Sequence, residues 1–89
     1  MSKKTILTLY TRNGCHLCED AMDVLRELEQ EFASLVDLQE IDISTSDELT
    51  ERYGLMIPVV LMDGEEVAYG HVNKFDISNR LQVKKGDNR

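Results

Sequence analysis

The part of this sequence best suited to chemistry is a pair of cysteines separated by two residues, Cys15-His16-Leu17-Cys18. Residues three apart on a helix lie on the same side, roughly 5–6 Å from each other, and this separation suits a disulfide. Cys15 stands where a predicted helix begins, and the unpaired N–H groups there favour the thiolate, the attacking form of a thiol. The spacing therefore predicts thiol–disulfide exchange, in which Cys15 attacks a substrate disulfide and Cys18 resolves the mixed disulfide.

Other uses of the cysteine pair stay open at this level. Free cysteine is often buried, so the two side chains could be inert members of a core. Zinc needs four ligands, so one such pair could hold a metal cluster only by bridging a dimer. The sequence predicts no metal site within a single chain.

Three charged or titratable side chains flank the pair and could influence it. His16, when protonated, could stabilise the Cys15 thiolate, or it could equally point to solvent. Glu19 lies one turn further on and opposes the thiolate with a negative charge. Arg12 could bind a substrate carboxylate or be an ordinary surface charge.

The pair is positioned by a predicted strand, turn and helix. Residues Thr5–Tyr10 are rich in β-branched and aromatic types and are typical of a strand. The cluster at 11–14 is typical of a turn. From Cys15 to about Phe32 the apolar residues recur at helical spacing. They define one face, which contains Cys18, Ala21, Met22, Leu25, Leu28 and Phe32.

The middle of the chain predicts a second strand and a short helix. Residues Asp37–Ile43 alternate in polarity, as a strand does. Thr45 and Glu48 fit a capping box, in which each side chain bonds the backbone of the other residue. The helix that follows ends at Tyr53, and Gly54 is expected to take a positive φ just after it.

The last third predicts a hairpin and a final helix. Pro58 precedes a buried-type strand, and Asp63-Gly64 predicts a two-residue turn into a returning strand over 66–69. Asn73 is expected to cap a helix that runs to about Gln82, after which 84–89 form a flexible tail. Val72 and Ile77 are expected to form a hydrophobic staple across this cap. We expect four aromatic side chains in the core: Tyr10, Phe32, Tyr53 and Phe75.

The predicted elements follow the order β-α-β-α-β-β-α. The first βαβ unit should be a right-handed crossover, and the hairpin makes the last two strands antiparallel. We therefore expect an α/β protein with a mixed four-stranded sheet and helices on both faces. The whole chain, 1–89, forms one domain whose core spans about 5–82.

The composition limits the class of protein. The 89 residues, of which 42% are hydrophobic, suffice for one ordinary core. Seventeen acidic and ten basic residues give a net charge of −7, opposite in sign to a nucleic-acid binder. No apolar run approaches the roughly 20 residues of a membrane span, and no signal peptide is recognisable. We expect a cytoplasmic monomer that binds neither nucleic acid nor membrane, in a compartment where disulfides are seldom structural.

These segments, in this order, resemble the thioredoxin superfamily and, within it, the small bacterial glutaredoxin-like proteins. The resemblance rests on 9–18 (LYTRNGCHLC), 53–60 (YGLMIPVV) and 62–64 (MDG), and it covers the chain from about Thr5 to Leu81. It implies a thioredoxin/glutaredoxin-like fold and the chemistry of a dithiol–disulfide oxidoreductase. It also implies that Pro58 is cis and lies beside the cysteines.

The resemblance further implies substrate-binding residues, and it implies that only part of a glutathione site is present. Arg12 matches the basic residue that glutathione-using glutaredoxins carry three positions before the first cysteine. Ile57 matches the residue whose backbone binds glutathione, and Pro58 shapes the docking surface and leaves that backbone open. Gly70 matches the first glycine of a Gly-Gly-acidic segment, but here it is followed by His71-Val72-Asn73. Glutathione is therefore expected to be a poor or partial electron donor.

Two classes of function remain. The first is an enzyme that exchanges disulfides with a protein or small thiol substrate, that needs no cofactor beyond the Cys15–Cys18 disulfide, and that is recycled by a reductase or by glutathione. The second is a thioredoxin-like binding module or redox sensor without turnover, which could bridge a metal cluster across a dimer.

Overall fold

The structure, a computed structural model, describes residues 4–87, with side chains described as far as 83. Four strands and three helices follow the predicted order, and a short 3-10 turn at Ile43–Thr45 precedes the second helix. The elements are β1 (Thr5–Thr11), α1 (His16–Glu31), β2 (Val36–Asp42), α2 (Asp47–Tyr53), β3 (Val59–Met62), β4 (Glu65–Tyr69) and α3 (Lys74–Asp87). Within 4–87 no helix is long and apolar enough to cross a membrane.

The four strands form one mixed sheet in the order β2-β1-β3-β4. The pairing of β1 with β2 is parallel, and α1 makes the crossover between them, whereas β1–β3 and β3–β4 are antiparallel. In this register Thr11 lies opposite Asp42, and Tyr10 lies opposite Val59. The ends of β1 and β2 and the start of β3 therefore meet at one edge of the sheet, and this edge leads into Cys15. The predicted mixed four-stranded sheet is confirmed.

The helices cover both faces of the sheet, as expected. Alternate strand residues point to opposite faces, so Leu7, Leu9 and Val60 pack with α1 and α3 in the larger core. Val59 and Leu61 point the other way and form a smaller core with Tyr53 of α2. Each face of β1 and β3 is thus buried under helix, which fixes the register of the two central strands.

Two local predictions are confirmed. Asp63 and Gly64 take φ values of 52° and 87°, which are the two positive values that a tight hairpin turn requires. The Asn73 side-chain oxygen accepts the N–H groups of Phe75 at 2.8 Å and of Asp76 at 3.2 Å, so Asn73 caps α3. Val72 and Ile77 are both buried in the larger core.

The expected start of α2 is wrong by one residue. Ser46, not Thr45, is the cap, because its Oγ accepts the N–H of Leu49 at 3.2 Å. The Thr45 hydroxyl donates instead to the Asp42 carbonyl, at 2.7 Å. The three residues after β2 form the 3-10 turn, so the helix begins one residue later than predicted.

Gly54 does not take the expected positive φ: its φ of −56° is helical. A Cβ at this position would lie 2.5 Å from the Thr50 carbonyl oxygen, so a larger residue could fit only if the backbone shifted. The close approach of the chain to the end of α2, and not a left-handed conformation, therefore suits this position to glycine.

Two expectations for the C-terminal part also need correction. Phe75 is 79% exposed, because Val72 and Ile77 occupy the core on either side of the cap, whereas Tyr53 is buried and Tyr10 and Phe32 are half-buried. Helix α3 continues to Asp87, so most of the expected flexible tail has helical backbone. Residues 88 and 89 lie outside the described part of the chain.

Candidate functional site

Cys15 is the N-cap of α1. Its backbone is extended (φ −97°, ψ 108°), and its Sγ accepts the N–H of Cys18 at 3.1 Å. The chain reaches this position through a turn in which Gly14 has φ 84°, and the Cys15 N–H donates to the Arg12 carbonyl at 3.3 Å. The sulfur therefore sits among the N–H groups at the start of the helix, where a negative charge is stabilised.

The two cysteines are joined by a disulfide and differ in exposure. Their Cα atoms are 5.2 Å apart, within the range that a disulfide allows. Cys18 is 2% exposed on the core side of α1, whereas Cys15 is half-buried. A substrate disulfide can therefore approach Cys15 much more readily than Cys18.

Pro58 and Gly70 are held together at the same edge of the sheet. The Ile57–Pro58 peptide bond is cis, and Pro58 is fully buried. The Gly70 N–H donates to the Pro58 carbonyl at 2.8 Å and to the Met56 carbonyl at 3.1 Å. Because Val59 follows directly and pairs with Tyr10, this clamp lies at the edge of the sheet where β1 leads to the cysteines.

The Ile57 backbone is not open in the way that the sequence suggested. Its N–H donates to the Tyr53 carbonyl at 3.2 Å, because the end of α2 turns directly into the Pro58 segment. A substrate strand that pairs here must compete with Tyr53 for this donor. The expectation of an open Ile57 backbone is therefore wrong for its N–H group.

On the opposite flank, Arg12 lies among carboxylates. A depression of about 320 Å³ is lined by Thr11, Arg12, Asn13, Gly14, Glu19, Glu40 and Asp42. Asp42 accepts hydrogen bonds from the Ser44 hydroxyl at 2.7 Å and the Ser44 N–H at 2.9 Å. These bonds, with a smaller contribution from the positive charge of Arg12, hold the pKa of Asp42 below its ordinary value. Three acidic side chains thus surround one basic side chain.

The predicted site residues do not form a single cluster around the cysteines. His16 is exposed in the first turn of α1, and the side chain of Glu19 lines the depression around Arg12. Gly70 belongs to the Pro58 clamp and not to the Arg12 flank. Among the side chains described, those of residues 4–83, no group of three or more His, Cys, Asp or Glu is placed to hold a metal ion.

Several residues of the two flanks were not predicted as site residues from the sequence. Glu40 and Asp42 of β2 reach the Arg12 flank because parallel strands end at the same edge, a signal present in the predicted β-α-β order. Leu17 is 55% exposed between the two cysteines, and Leu55 is fully exposed ahead of Pro58. Leu17 therefore provides apolar surface beside the disulfide.

The comparisons with known proteins agree with this architecture. The sequence model described as "Glutaredoxin-like domain (DUF836)" matches residues 6–82. A protein of Methanothermobacter thermautotrophicus named "Probable Thioredoxin" is 32% identical over 59 residues, which are 65% of this chain and 69% of that protein. An uncharacterized protein of Mycobacterium tuberculosis is 33% identical over 69 residues, which are 74% of this chain and 71% of that protein.

Solved structures show the same fold at low sequence identity. A mutant thioredoxin from Halobacterium salinarum aligns with a TM-score of 0.69 at 19% identity, covering 91% of this chain and 74% of that one. A protein of unknown function from Staphylococcus aureus aligns with a TM-score of 0.73, also at 19% identity, covering 96% and 94%. The thioredoxin-like fold expected from the sequence is confirmed.

Proposed function

This chain belongs to the glutaredoxin-like domain family, and from that membership we propose that it is a dithiol–disulfide oxidoreductase. The observation that carries the proposal is the asymmetry of the cysteine pair. Cys15 is accessible at the cap of α1, and Cys18 is buried one turn later with its N–H on the Cys15 sulfur. This arrangement suits a nucleophile and a resolving thiol.

In the proposed reaction the reduced protein passes two electrons to its substrate. The Cys15 thiolate attacks one sulfur of a disulfide R–S–S–R, forms a Cys15–S–S–R bond and releases R–S⁻. The Cys18 thiol, as its thiolate, then attacks the Cys15 sulfur, closes the Cys15–Cys18 disulfide and releases the second R–S⁻. The protons of the two protein thiols end on the two leaving thiolates. A thiol donor of lower potential reverses these steps and restores the dithiol.

Two flanks of the pair would bind the substrate. Pro58, which is buried and held by Gly70, would fix the position of the Ile57 backbone that a substrate contacts on one side of the pair. Arg12 offers a cation on the other side. We propose a disulfide-bearing protein or a small disulfide as substrate, handled by a cytoplasmic monomer, with no metal or organic cofactor and with neither nucleic acid nor membrane as partner.

The electron donor would be a reductase more readily than glutathione. Arg12 and Ile57 supply part of a glutathione site, but His71 and Val72 stand where an acidic anchor for the glutathione amine would be needed. Losing one charge-assisted contact weakens binding by about 1.5–3 kcal/mol, or roughly ten- to hundred-fold. Glutathione would therefore serve only at high concentration.

A second function is favoured by one observation, the internal bond of the Ile57 N–H. Because this donor is already paired with Tyr53, an extended substrate gains less there than from an open backbone. A binding module or redox sensor, in which a partner reads the state of the disulfide without turnover, would need no such pairing. Such a module could also bridge a metal cluster across a dimer, which would colour the protein as isolated.

A turnover assay run in parallel with two reducing systems tests the proposal. One arm contains thioredoxin reductase and NADPH, the other glutathione, glutathione reductase and NADPH, each with a protein disulfide as substrate. We expect NADPH consumption above background, greater in the first arm. The control is Cys15→Ser, because serine is a preferred N-cap and preserves the start of α1. Equal consumption by wild type and Cys15→Ser in both arms would favour the binding module.

A further inference from the structure

The charges around Arg12 are unbalanced in a way that bears on substrate choice. Arg12 shares its depression with Glu19, Glu40 and Asp42, so the lining carries three carboxylates and one guanidinium. These residues come from three separate elements: the loop after β1, the first turn of α1 and the end of β2. The depression adjoins the nucleophile, since Gly14 both lines it and precedes Cys15.

The three carboxylates are open to an approaching substrate. Glu19 and Glu40 are exposed, and Asp42 is half-exposed with a lowered pKa. Asp42 is also fixed in place, because two hydrogen bonds from Ser44 hold its carboxylate at the end of β2. No ion pair within 4.0 Å joins Arg12 to a carboxylate in the described residues, so Arg12 does not neutralise any one of them by direct contact.

We propose that Glu19, Glu40 and Asp42 make the exchange site selective for cationic over anionic disulfides. The inference rests on the proposed exchange reaction and names its substrate class: disulfides flanked by basic groups. The electrostatic potential of these carboxylates extends over about 10 Å at 0.1 M salt. The selection therefore acts on the encounter with a charged substrate and on the first attack by Cys15. Glutathione disulfide, which is anionic, belongs to the disfavoured class.

The chemistry of the selected step is unchanged. The Cys15 thiolate still bonds to one substrate sulfur, the substrate S–S bond breaks, and the other half of the substrate leaves as R–S⁻. A cationic R group is attracted by the depression before and during the attack, whereas a carboxylate on R is repelled. Arg12 moderates this repulsion, so the loss of Arg12 should strengthen the preference for cations.

The test uses the pre-reduced full-length protein in single turnover with three small disulfides that differ in charge. Cystamine is cationic, hydroxyethyl disulfide is neutral and dithiodiglycolate is anionic. Acid-quenched samples are alkylated, and the fraction of oxidised protein is read by mass spectrometry. Each rate is divided by the rate of dithiothreitol with the same disulfide, so that differences in leaving group cancel. We expect cystamine to exceed dithiodiglycolate by about 3- to 10-fold at low salt, and the ratio to approach one in ~1 M salt.

Paired variants assign the preference to this depression. The variant Glu19→Gln/Glu40→Gln should bring the ratio of the cystamine rate to the dithiodiglycolate rate within about twofold of one. Adding Asp42→Asn, which keeps the acceptor for Ser44, should remove the remaining preference for cystamine. The matched control Asp37→Asn/Glu65→Gln loses the same two charges at the other end of the sheet and should keep the wild-type ratio.

The outcomes separate the inference from the reaction on which it rests. If the protein oxidises no faster with any disulfide than a Cys15→Ser control, the proposed exchange fails. If it exchanges with all three at equal normalised rates, the exchange stands and the selectivity is wrong. If the control variant lowers the ratio as much as Glu19→Gln/Glu40→Gln, net charge and not the depression is responsible, and the inference is likewise overturned.

Discussion

The two flanks of the cysteine pair are built by different means. On the Pro58 flank, the backbone groups of Met56, Ile57, Pro58 and Gly70 are bonded to one another or to Tyr53, above buried apolar side chains. On the Arg12 flank, exposed charged side chains from three elements border a shallow depression. The first flank is fixed by the fold, so substitution there should alter stability and exchange together. The second can change while the fold stays constant, so substitution there should alter selectivity alone.

The largest expected effect comes from the pair that lies between the flanks. Cys15→Ser should abolish turnover, because no nucleophile remains, while the α1 cap and the free energy of unfolding stay close to wild type. Cys18→Ala should complete the first attack and stop at the mixed disulfide. For Cys15→Ser, the absence of turnover at an unchanged urea midpoint checks both the role of Cys15 and the intact fold. For Cys18→Ala, an accumulated mixed disulfide checks the role of Cys18. Full turnover by Cys15→Ser would refute the assignment of the nucleophile.

The next effect tests the Pro58 flank. Gly70→Ala places a side chain at φ 75°, a left-handed conformation that costs about 1–2 kcal/mol for a residue with a Cβ. Apart from the adjoining residues, no atom lies within 4 Å of the added methyl group, so the loss comes from the backbone conformation and not from a tertiary clash. We expect a lower urea midpoint together with slower exchange, because the Gly70 clamp on Pro58 loosens. Slower exchange at unchanged stability would mean that this flank is not fixed by the fold.

The Arg12 flank should respond in the opposite way. Arg12→Gln should leave the free energy of unfolding within about 0.5 kcal/mol of wild type, as surface substitutions usually do. Its effect should appear in exchange with anionic disulfides, which should slow by about 3-fold at low salt. The same rate measured with a neutral disulfide is the control. A large loss of stability would show that Arg12 has a structural role.

The smallest effects concern pH, and the two flanks should differ in sign. Burial, ahead of a bond to Glu66, raises the pKa of Tyr53, so its contribution to stability is full below about pH 10 and is lost as pH rises through the raised value. The pKa of Asp42 is lowered, so its contribution is present above about pH 4 and is lost as pH falls through the lowered value. Urea midpoints measured against pH should therefore flatten at the alkaline end in Tyr53→Phe and at the acid end in Asp42→Asn. The reverse pattern would contradict the assignment of causes.

Local signals in the sequence were sufficient for the cysteine pair, the Asp63-Gly64 turn and the Asn73 cap. Each of these features depends only on residues close to one another in sequence, and the structure shows each of them. The predicted start of α2 is one residue too early, because no local sequence signal indicates the 3-10 turn that makes Ser46 the cap. Phe75 was misplaced because hydrophobicity alone does not say which side of a first helical turn faces the core.

The non-local features of the site could be predicted only in part. The order β-α-β places the ends of β1 and β2 together, yet the pairing of Thr11 with Asp42 depends on a register that strand patterns do not fix. The bond from the Ile57 N–H to Tyr53 depends on how α2 ends, and the sequence predicts the wrong conformation for Gly54 at that point. The register that brings Asp42 beside Thr11 and the bond on the Ile57 N–H are therefore visible only in the folded chain.

The most direct test of the central claim is the alkylation rate of each cysteine alone, measured against pH on reduced Cys18→Ala and Cys15→Ser. Cys15 is half-buried and is the N-cap of α1, where its Sγ accepts a helix N–H, whereas Cys18 is 2% exposed. The account predicts that Cys18→Ala reacts fast at neutral pH and forms mixed disulfides, while Cys15→Ser reacts slowly until the pH is raised or the protein is unfolded. If Cys15→Ser proves the faster variant in the folded protein, Cys18 is the nucleophile and the proposed mechanism is wrong.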